Sequence, residues 1–264
     1  MIAVVGSLEI GYDDVGTGLP VLFAHAFPLN RTMWAPNISA LVDRCRCVAA
    51  DFRGLGETTI APPYSMEQYA DDLAHLLDVL HIERVVLVGC SMGGYVSFAF
   101  WRRHRDRVRA LVLADTRPGA DSEETAMRRR QLIDLARTEG STAVANAQIQ
   151  SIVGKTTREK QPDTYDAVHR MIAQAPAEGI VGALEAMMLR SDSTPLLATI
   201  DVPTLIVVGD EDVPTPPKEA RGMHEKIAGS TIEVITGAGH LSNLERPAAF
   251  NHVMTEFLVS LTAT

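Results

Sequence analysis

Residues 85–101 read VVLVGCSMGGYVSFAFW, and the rest of the chain is organised around this stretch. Its first four residues are apolar and rich in valine, which predicts a buried strand, and its last seven predict a helix. Ser91 therefore lies where a strand turns into a helix. Such a sharp turn strains the backbone of its central residue, and the flanking Gly89 and Gly93 leave room for it. The pattern predicts a nucleophile elbow that exposes the Ser91 hydroxyl.

The same turn places the backbone N–H of Met92 in the first turn of the helix. Amides at that position lack an intrahelical acceptor and lie at the positive end of the helix dipole, so Met92 is a candidate donor to an oxyanion formed at Ser91. The alternative is a glycine-rich connection that serves packing alone, because a motif with three fixed positions also arises by chance.

Composition excludes several classes of partner. The chain of 264 residues has a net charge of −9 and an isoelectric point near 5.4, so we predict no nucleic-acid partner. The basic run Arg128–Arg130 follows Glu123 and Glu124 and is interpreted as a solvated helix face with local ion pairs. No apolar run has membrane-spanning length and no signal segment is recognisable, so we expect a cytoplasmic protein without membrane attachment.

The cysteines and histidines indicate neither a disulfide nor a metal site. Three cysteines are present, and Cys45 and Cys47 are separated by one residue in a predicted strand, which is poor geometry for a bridge. Reduced thiols are the simplest interpretation. No cysteine and histidine spacing resembles a zinc site, so no metal is predicted.

Strands alternate with helices over much of the chain. Apolar residues at helical spacing predict a helix over residues 65–80, with Ser65 as its N-cap. Two short N-terminal runs, residues 8–12 and 21–24, flank turn residues and predict an antiparallel pair at a sheet edge. Further strands are predicted over residues 45–50, 108–114, 204–208 and 231–235. This alternation predicts an α/β fold with a mostly parallel central sheet and flanking helices.

Residues 118–192 interrupt the alternation with helical stretches and no strand-like run. We interpret them as a helical cap inserted over the edge of the sheet where ligands bind, with residues 1–117 and 193–264 forming the core. Met187 and Met188 are candidates to line an acyl pocket, although methionines at helical spacing are more often core residues.

Polar residues follow the last two predicted strands. His240 lies among glycines and apolar residues in a short loop, which suits an imidazole that must reach Ser91, and its neighbour Leu241 is a candidate pocket residue. Asp210 and Asp212 both follow the preceding strand. Asp210 is close enough to the strand end to bind loop amides, whereas Asp212 lies further out toward the His240 loop.

Two earlier loops contain further candidates. Pro28 disfavours helix at Phe27, so the Phe27 N–H is a candidate oxyanion donor, and an ordinary loop before a helix is the alternative. Asp51 and Arg53 bracket a glycine turn. We interpret them as structural residues that hold the loop by pairing with the backbone and with each other.

Several segments together resemble one known family: His25–Pro28, Asp51–Gly56, the elbow at residues 89–93, Gly209–Pro214, Gly239–His240, and Arg190–Pro195 with Pro216 and Pro217. The sequence resembles the α/β-hydrolase superfamily over its whole length. Within it, the chain is similar to small capped serine esterases and to the 3-oxoadipate enol-lactonase group. One departure is Ala26, which stands where the family usually has glycine and would narrow the acyl site or shift the Phe27 amide.

The resemblance implies Ser91 as nucleophile, His240 as base, Asp212 as acid, and the Phe27 and Met92 amides as the oxyanion hole. It also implies hydrolysis of small carboxylic esters or lactones through an acyl-enzyme, without a cofactor.

Two alternatives stay open: a cofactor-free perhydrolase or haloperoxidase, and a ligand-binding protein of this fold with little turnover. The sequence determines neither the natural acyl group nor the oligomeric state, a homo-oligomer included.

Overall fold

The computed structural model describes residues 1–261. Within them, eight strands form one sheet in the order β1-β2-β4-β3-β5-β6-β7-β8. The strands are β1 Ile2–Val5, β2 Leu8–Val15, β3 Leu19–Ala24, β4 Cys45–Ala50, β5 Val85–Cys90, β6 Val108–Ala114, β7 Thr204–Gly209 and β8 Thr231–Ile235. All pairings from β4 to β8 are parallel. The predicted α/β class with a mostly parallel sheet is confirmed.

The N-terminal strands pair differently from the prediction. β2 and β3 do not form an antiparallel pair, because β4 lies between them. β4 is antiparallel to β2, with Ala50 opposite Tyr12, and parallel to β3, with Ala50 opposite Ala24. Turn residues between two strands show that the chain reverses, but they carry no information about a third strand that enters between them.

The centre of the sheet explains the valine-rich run that opens β5. All six residues of β5 are buried, and the strand pairs with β3 on one side and β6 on the other. A parallel strand covered on both faces has no solvent side, which removes the alternation of polar and apolar residues. The end of β5 therefore lies in the middle of the sheet.

The helices largely follow the sequence signals. Ser65 caps α2, its Oγ accepting the backbone N–H of Gln68 at 3.0 Å. The α-helices are α1 Ala35–Leu41, α2 Met66–Val79, α3 Met92–His104, α4 Glu123–Glu139, α5 Ser141–Ile152, α6 Lys155–Lys160, α7 Pro162–Gln174, α8 Ala177–Leu189, α9 Pro217–His224, α10 Ser242–Glu245 and α11 Pro247–Ser260. Among residues 1–261, no helix is long and apolar enough to cross a membrane.

Five consecutive helices, α4 to α8, lie between β6 and β7 and are called the helical segment, residues 123–189. α4 packs against α8, and α5 packs against α7. Gly140, with φ of 80°, separates α4 from α5, and Pro162 begins α7 where its missing N–H costs no helical hydrogen bond. The segment follows directly from the carboxyl end of a central strand.

Candidate active site

The strand-to-helix turn places Ser91 in a strained conformation. Ser91 has φ of 54° and ψ of −111°, between the end of β5 and the start of α3. A Cβ on Gly89 would overlap the carbonyl oxygen of Gly93, and a Cβ on Gly93 would overlap the carbonyl oxygen of Ala24. Both glycines are therefore required by the close approach of neighbouring backbone, and the turn packs directly against the end of β3.

Three side chains from distant parts of the sequence meet at this turn. His240 Nε2 lies 2.7 Å from Ser91 Oγ, and His240 Nδ1 lies 2.9 and 3.0 Å from the two carboxylate oxygens of Asp212. All three residues are buried. In this geometry the Nδ1–H donates to the carboxylate, so Nε2 is free to accept the hydroxyl proton of Ser91.

The three acids after β7 have separate partners. Asp212 accepts hydrogen bonds from the Thr215 N–H at 2.8 Å and from its hydroxyl at 2.7 Å. Asp210 instead accepts the Gly237 N–H at 2.7 Å, and Glu211 accepts the Thr156 N–H at 2.7 Å. The structure therefore places Asp212 alone against the imidazole.

The charges around His240 determine its protonation. Burial lowers the pKa of His240, but the negative charge and hydrogen bond of Asp212 raise it, as do the charges of Asp115 and Glu245. The net pKa lies above the ordinary 6.5. The charges of these nearby carboxylates thus favour the imidazolium form.

Asp115 is a residue of the site that the sequence analysis left without a role. It follows β6 with φ of 47° and is completely buried. Its Oδ1 accepts the Gly209 N–H at 3.0 Å, and its Oδ2 accepts the N–H and hydroxyl of Ser242 at 2.9 and 2.6 Å. Asp115 therefore connects the loop of Asp212 to the loop of His240. The sequence did contain a signal for Asp115: it is an acid that directly follows a predicted strand, on the sheet edge that carries Ser91.

Two buried groups beneath the site are shifted toward their neutral forms. Burial, and then the charge of Asp212, raises the pKa of Asp115. Burial, followed by the charge of Asp115, raises the pKa of the Cys90 thiol well above its ordinary range. A protonated, buried thiol is a poor nucleophile, so Cys90 does not compete with Ser91.

The loop after β3 contains the other predicted amide donor. No acceptor for the Phe27 N–H is found in the described part of the chain, and Phe27 lines the same cavity as Ser91. His25 fixes this loop, since its Nδ1–H donates to the Ala26 carbonyl at 2.9 Å and its Nε2 accepts the Phe52 N–H at 3.0 Å. Burial lowers the pKa of His25. The ring is therefore a neutral structural bridge.

Asp51 and Arg53 hold loops, but not by pairing with each other as the sequence analysis expected. Asp51 binds the backbone N–H and the guanidinium of Arg31. Arg53 binds both oxygens of Asp72 on α2, at 2.6 and 2.7 Å. Side chains this long select partners in space, and the glycine turn points the two groups to different neighbours.

A cavity of about 700 Å³ opens beside Ser91 and His240. Met187 is among the residues that line it; Met188 and Leu241 are not, and Leu241 is fully buried beneath the loop. The cavity wall thus combines loops of the sheet edge with residues of the helical segment.

The basic run on α4 is only partly a solvated face. Arg128 and Arg130 form the expected pairs with Glu124 and Glu123, at 2.6 and 3.0 Å. Arg129 instead turns inward, is 14% exposed and lines the cavity. Successive helix positions are about 100° apart, so three adjacent arginines cannot all face solvent equally.

The helical segment is hydrogen-bonded to the loops that carry the triad residues. The His240 N–H donates to the Ile152 carbonyl at 2.9 Å, and the Gly154 N–H donates to Glu245 at 2.9 Å. A Cβ on Gly154 would overlap both Gly239 and Glu211. The end of α5 is therefore fixed to the histidine loop.

No cluster of three potential metal ligands occurs in residues 1–261.

A serine, an imidazole and a carboxylate in this chain order and at these distances, on the carboxyl edge of a parallel sheet, have the arrangement that nucleophilic catalysis requires. Residues 20–247 match the model of the alpha/beta hydrolase fold family, and the chain belongs to that family.

Individual relatives cover nearly the whole chain. The solved structure of a thermophilic esterase from Thermogutta terrifontis, with malate bound, is 41% identical with a TM-score of 0.94, covering 98% of this chain and 96% of that one. 3-Oxoadipate enol-lactonase 2 of Acinetobacter baylyi is 29% identical over 89% of this chain and 86% of its own length. The non-heme chloroperoxidase CPO-A1 of Kitasatospora aureofaciens is 31% identical over 88% and 89%. The predicted similarity to esterases and enol-lactonases is confirmed, and with it the enzyme class of carboxylic ester hydrolases.

Proposed function

We propose that the protein hydrolyses carboxylic esters or lactones of small molecules through an acyl-enzyme on Ser91. The observation that carries this proposal is the continuous contact from Asp212 through His240 to the Ser91 hydroxyl, at 2.9 and 2.7 Å, beside a cavity. The names of the esterase and enol-lactonase relatives support the same chemistry.

The first half of the reaction forms the ester bond to the enzyme. His240 Nε2 removes the proton from Ser91 Oγ as that oxygen attacks the substrate carbonyl carbon. The imidazolium is stabilised by Asp212 and then gives the proton to the departing alcohol oxygen. In a lactone the alcohol and acyl parts stay in one molecule, so ring opening leaves a hydroxyacyl-enzyme.

The second half regenerates the enzyme. His240 removes a proton from water, the hydroxide attacks the acyl carbon, and Ser91 Oγ recovers the proton from the imidazolium as the carboxylic acid leaves. We assign the Phe27 and Met92 amides to the negative oxygen in both halves. Met92 is the first residue of α3, where an N–H lacks an intrahelical acceptor.

We propose that residues 118–192 act as a cap that determines which substrates reach Ser91. Arg129, Leu132 and Leu135 of α4 and Met187 of α8 lie on the wall of the same cavity as Ser91 and His240. Binding contacts on one element and chemistry on another allow the substrate range to change while the reacting groups stay fixed.

The proposal is tested with purified protein, p-nitrophenyl acetate and a small panel of lactones, without added metal or cofactor. We expect a burst of p-nitrophenol close to one equivalent if deacylation limits turnover, and a fluorophosphonate adduct on the peptide that contains Ser91. Absence of both hydrolysis and the adduct would contradict the proposal and favour a ligand-binding protein. Product formation that depends on hydrogen peroxide would favour the perhydrolase alternative.

A further inference from the structure

The wall of the cavity has an unusual charge. Arg117, Arg128 and Arg129 line it, whereas none of the residues lining it in the described part of the chain is Asp or Glu. The whole chain has a net charge of −9. A positively charged wall in an acidic protein is a feature of this cavity and not of the general surface.

Two of these arginines, Arg117 and Arg129, contact one buried acid, and Arg190, which does not line the cavity, contacts the same acid. Asp121, whose side chain is 2% exposed, accepts from Arg190 Nη1 at 2.7 Å, from Arg129 Nε at 2.5 Å and from Arg117 Nη2 at 3.2 Å. Three guanidinium groups therefore contact one carboxylate, and Glu219 on α9 acts on Arg117 from a greater distance. Burying this excess of positive charge is unfavourable unless another anion compensates it.

The three arginines are satisfied to different degrees. Arg190 is 4% exposed, donates also to the carbonyls of Met187 and Gly119, and stacks 4.1 Å over the ring of Tyr95. Its Nε, like that of Arg117, is buried without a hydrogen-bond partner, but Arg190 does not line the cavity, so we assign it a structural role. Arg129 Nη1, by contrast, has the Met187 thioether at 3.2 Å as its partner, and thioether sulfur is a weak acceptor.

Arg117 contacts Asp121 through one donor at 3.2 Å, and its guanidinium also has the Tyr95 side chain as a hydrogen-bond partner. Its Nε is buried without a hydrogen-bond partner, and 21% of its side chain is exposed toward the cavity. The residue also lies next to the nucleophile, because the neighbouring Thr116 hydroxyl donates to the Ser91 carbonyl at 2.8 Å. A planar guanidinium on the cavity wall, on a side chain that is partly exposed, is well suited to bind a carboxylate.

We propose that Arg117 and Arg129 form a carboxylate-binding subsite, so that the preferred substrates are esters or lactones that carry a free carboxylate. The inference rests on the proposed hydrolase function and specifies its substrate class. The substrate carboxylate would be neutralised by the cavity wall while the ester carbonyl lies at Ser91. Positive charge beside the site would also retain an anionic acid product until water replaces it.

The first test compares pairs of esters of equal shape. Monoethyl succinate is paired with ethyl 4-methylpentanoate, and O-butyrylglycolate with isobutyl butyrate, so that an isopropyl group replaces the carboxylate on the acyl side or the alcohol side. We expect kcat/KM to favour the anionic ester about 10- to 100-fold in at least one pair. Hydrolysis of the neutral esters with no preference in either pair would overturn the inference and leave the hydrolase proposal standing. No hydrolysis of any ester would contradict the hydrolase proposal itself.

The second test assigns the preference to Arg117. Arg117→Met should abolish the preference, mainly through KM, and Arg117→Lys should restore part of it because the charge returns without the planar fork. Arg130→Met is the matched control: it removes an arginine of α4 that pairs with Glu123 and does not line the cavity. Equal loss of preference in Arg130→Met and Arg117→Met would show a general charge effect and overturn the assignment.

A binding measurement separates the subsite from catalysis. Succinate should raise the thermal midpoint of Ser91→Ala, and the same concentration should give no rise in Ser91→Ala/Arg117→Met. This readout requires no turnover, and the midpoint without succinate reports directly whether the variant is folded. An equal rise in both proteins would exclude Arg117 as the binding group.

Discussion

Two walls of the same cavity are built in different ways. The loops after β5, β7 and β8 bring together Ser91, Asp212 and His240, whose polar atoms bind one another at 2.7 to 3.0 Å. The second wall is defined by Arg117, which follows β6, and by Arg129 on α4; both pair with Asp121, and each keeps one donor with a weak acceptor or none. Catalysis requires reacting groups that are already held in position before the substrate binds. Recognition requires groups with hydrogen-bond donors that are still available to the substrate. This difference supports the proposal that the first wall carries the chemistry and that the second selects the substrate.

The largest expected loss of activity follows from removing Ser91, the proposed nucleophile of the first wall. Ser91→Ala should reduce ester hydrolysis on the order of 10⁶-fold, and His240→Ala to a similar level, because the residues of a triad act as a unit. Initial rates of p-nitrophenyl acetate hydrolysis measure the loss. Substantial turnover by pure Ser91→Ala would place the nucleophile elsewhere.

The two acids after β7 give the next largest contrast. Asp212→Asn should lower kcat by up to about 10⁴-fold, because an amide no longer holds the imidazole in the required tautomer. Asp210→Asn is the matched control and should affect mainly the thermal midpoint, since Asp210 binds the Gly237 N–H. A folded but inactive Asp210→Asn, with an active Asp212→Asn, would reverse these roles.

The pH profile tests the electrostatics behind the first wall. His240 acts as a base only when it is neutral, and its pKa is raised above 6.5 by the surrounding acids. kcat/KM should therefore rise with pH through a midpoint above 6.5. A midpoint below that value would contradict the dominance of the acids over burial.

The same pH profile can be measured for a variant in which Asp115, one of these acids, is neutralised. The charges of Asp212 and His240 act on Asp115, the Cys90 thiol lies 3.9 Å from its Oδ2, and the charge of Asp115 is one of those that raise the His240 pKa. Asp115→Asn should move the midpoint of the pH profile to lower pH, because a negative charge near His240 is removed. It should also lower the free energy of unfolding by about 1–3 kcal/mol, because the hydrogen bonds to Ser242 and Gly209 weaken. Lower stability with an unchanged midpoint would limit Asp115 to a structural role.

The smallest expected effect is on acyl-chain preference, which we propose is set by residues of the helical segment. Met187→Ala should change the ratio of kcat/KM between butyrate and acetate esters about tenfold or less, because one methionine borders the space for the acyl chain. Met188→Ala is the natural control, since Met188 does not line the cavity. An identical ratio in both variants and the parent would make Met187 a packing residue only.

Local patterns were sufficient wherever one contiguous stretch sets the outcome. The strands at residues 45–50 and 108–114, the Ser65 cap and the turn around Ser91 all follow from composition, period and glycine placement within about ten residues. The choice between Asp210 and Asp212 came from the family resemblance, because local patterns showed only that Asp212 lies further from the strand end. The cavity residues were harder, because Met187 and Met188 are neighbours on a helix and only packing decides which one faces inward.

The sequence by itself determined the α/β class, the elbow at Ser91 and the loops that carry His240 and the acids, because these depend on short-range backbone geometry. Tertiary structure alone decided that β4 enters between β2 and β3, that Asp115 joins two loops, and that Arg117 and Arg129 face the cavity. The physical reason is that these contacts join residues far apart in the sequence. Strand pairing and long charged side chains take their partners from any part of the chain that folding brings close, and sequence spacing does not encode that proximity.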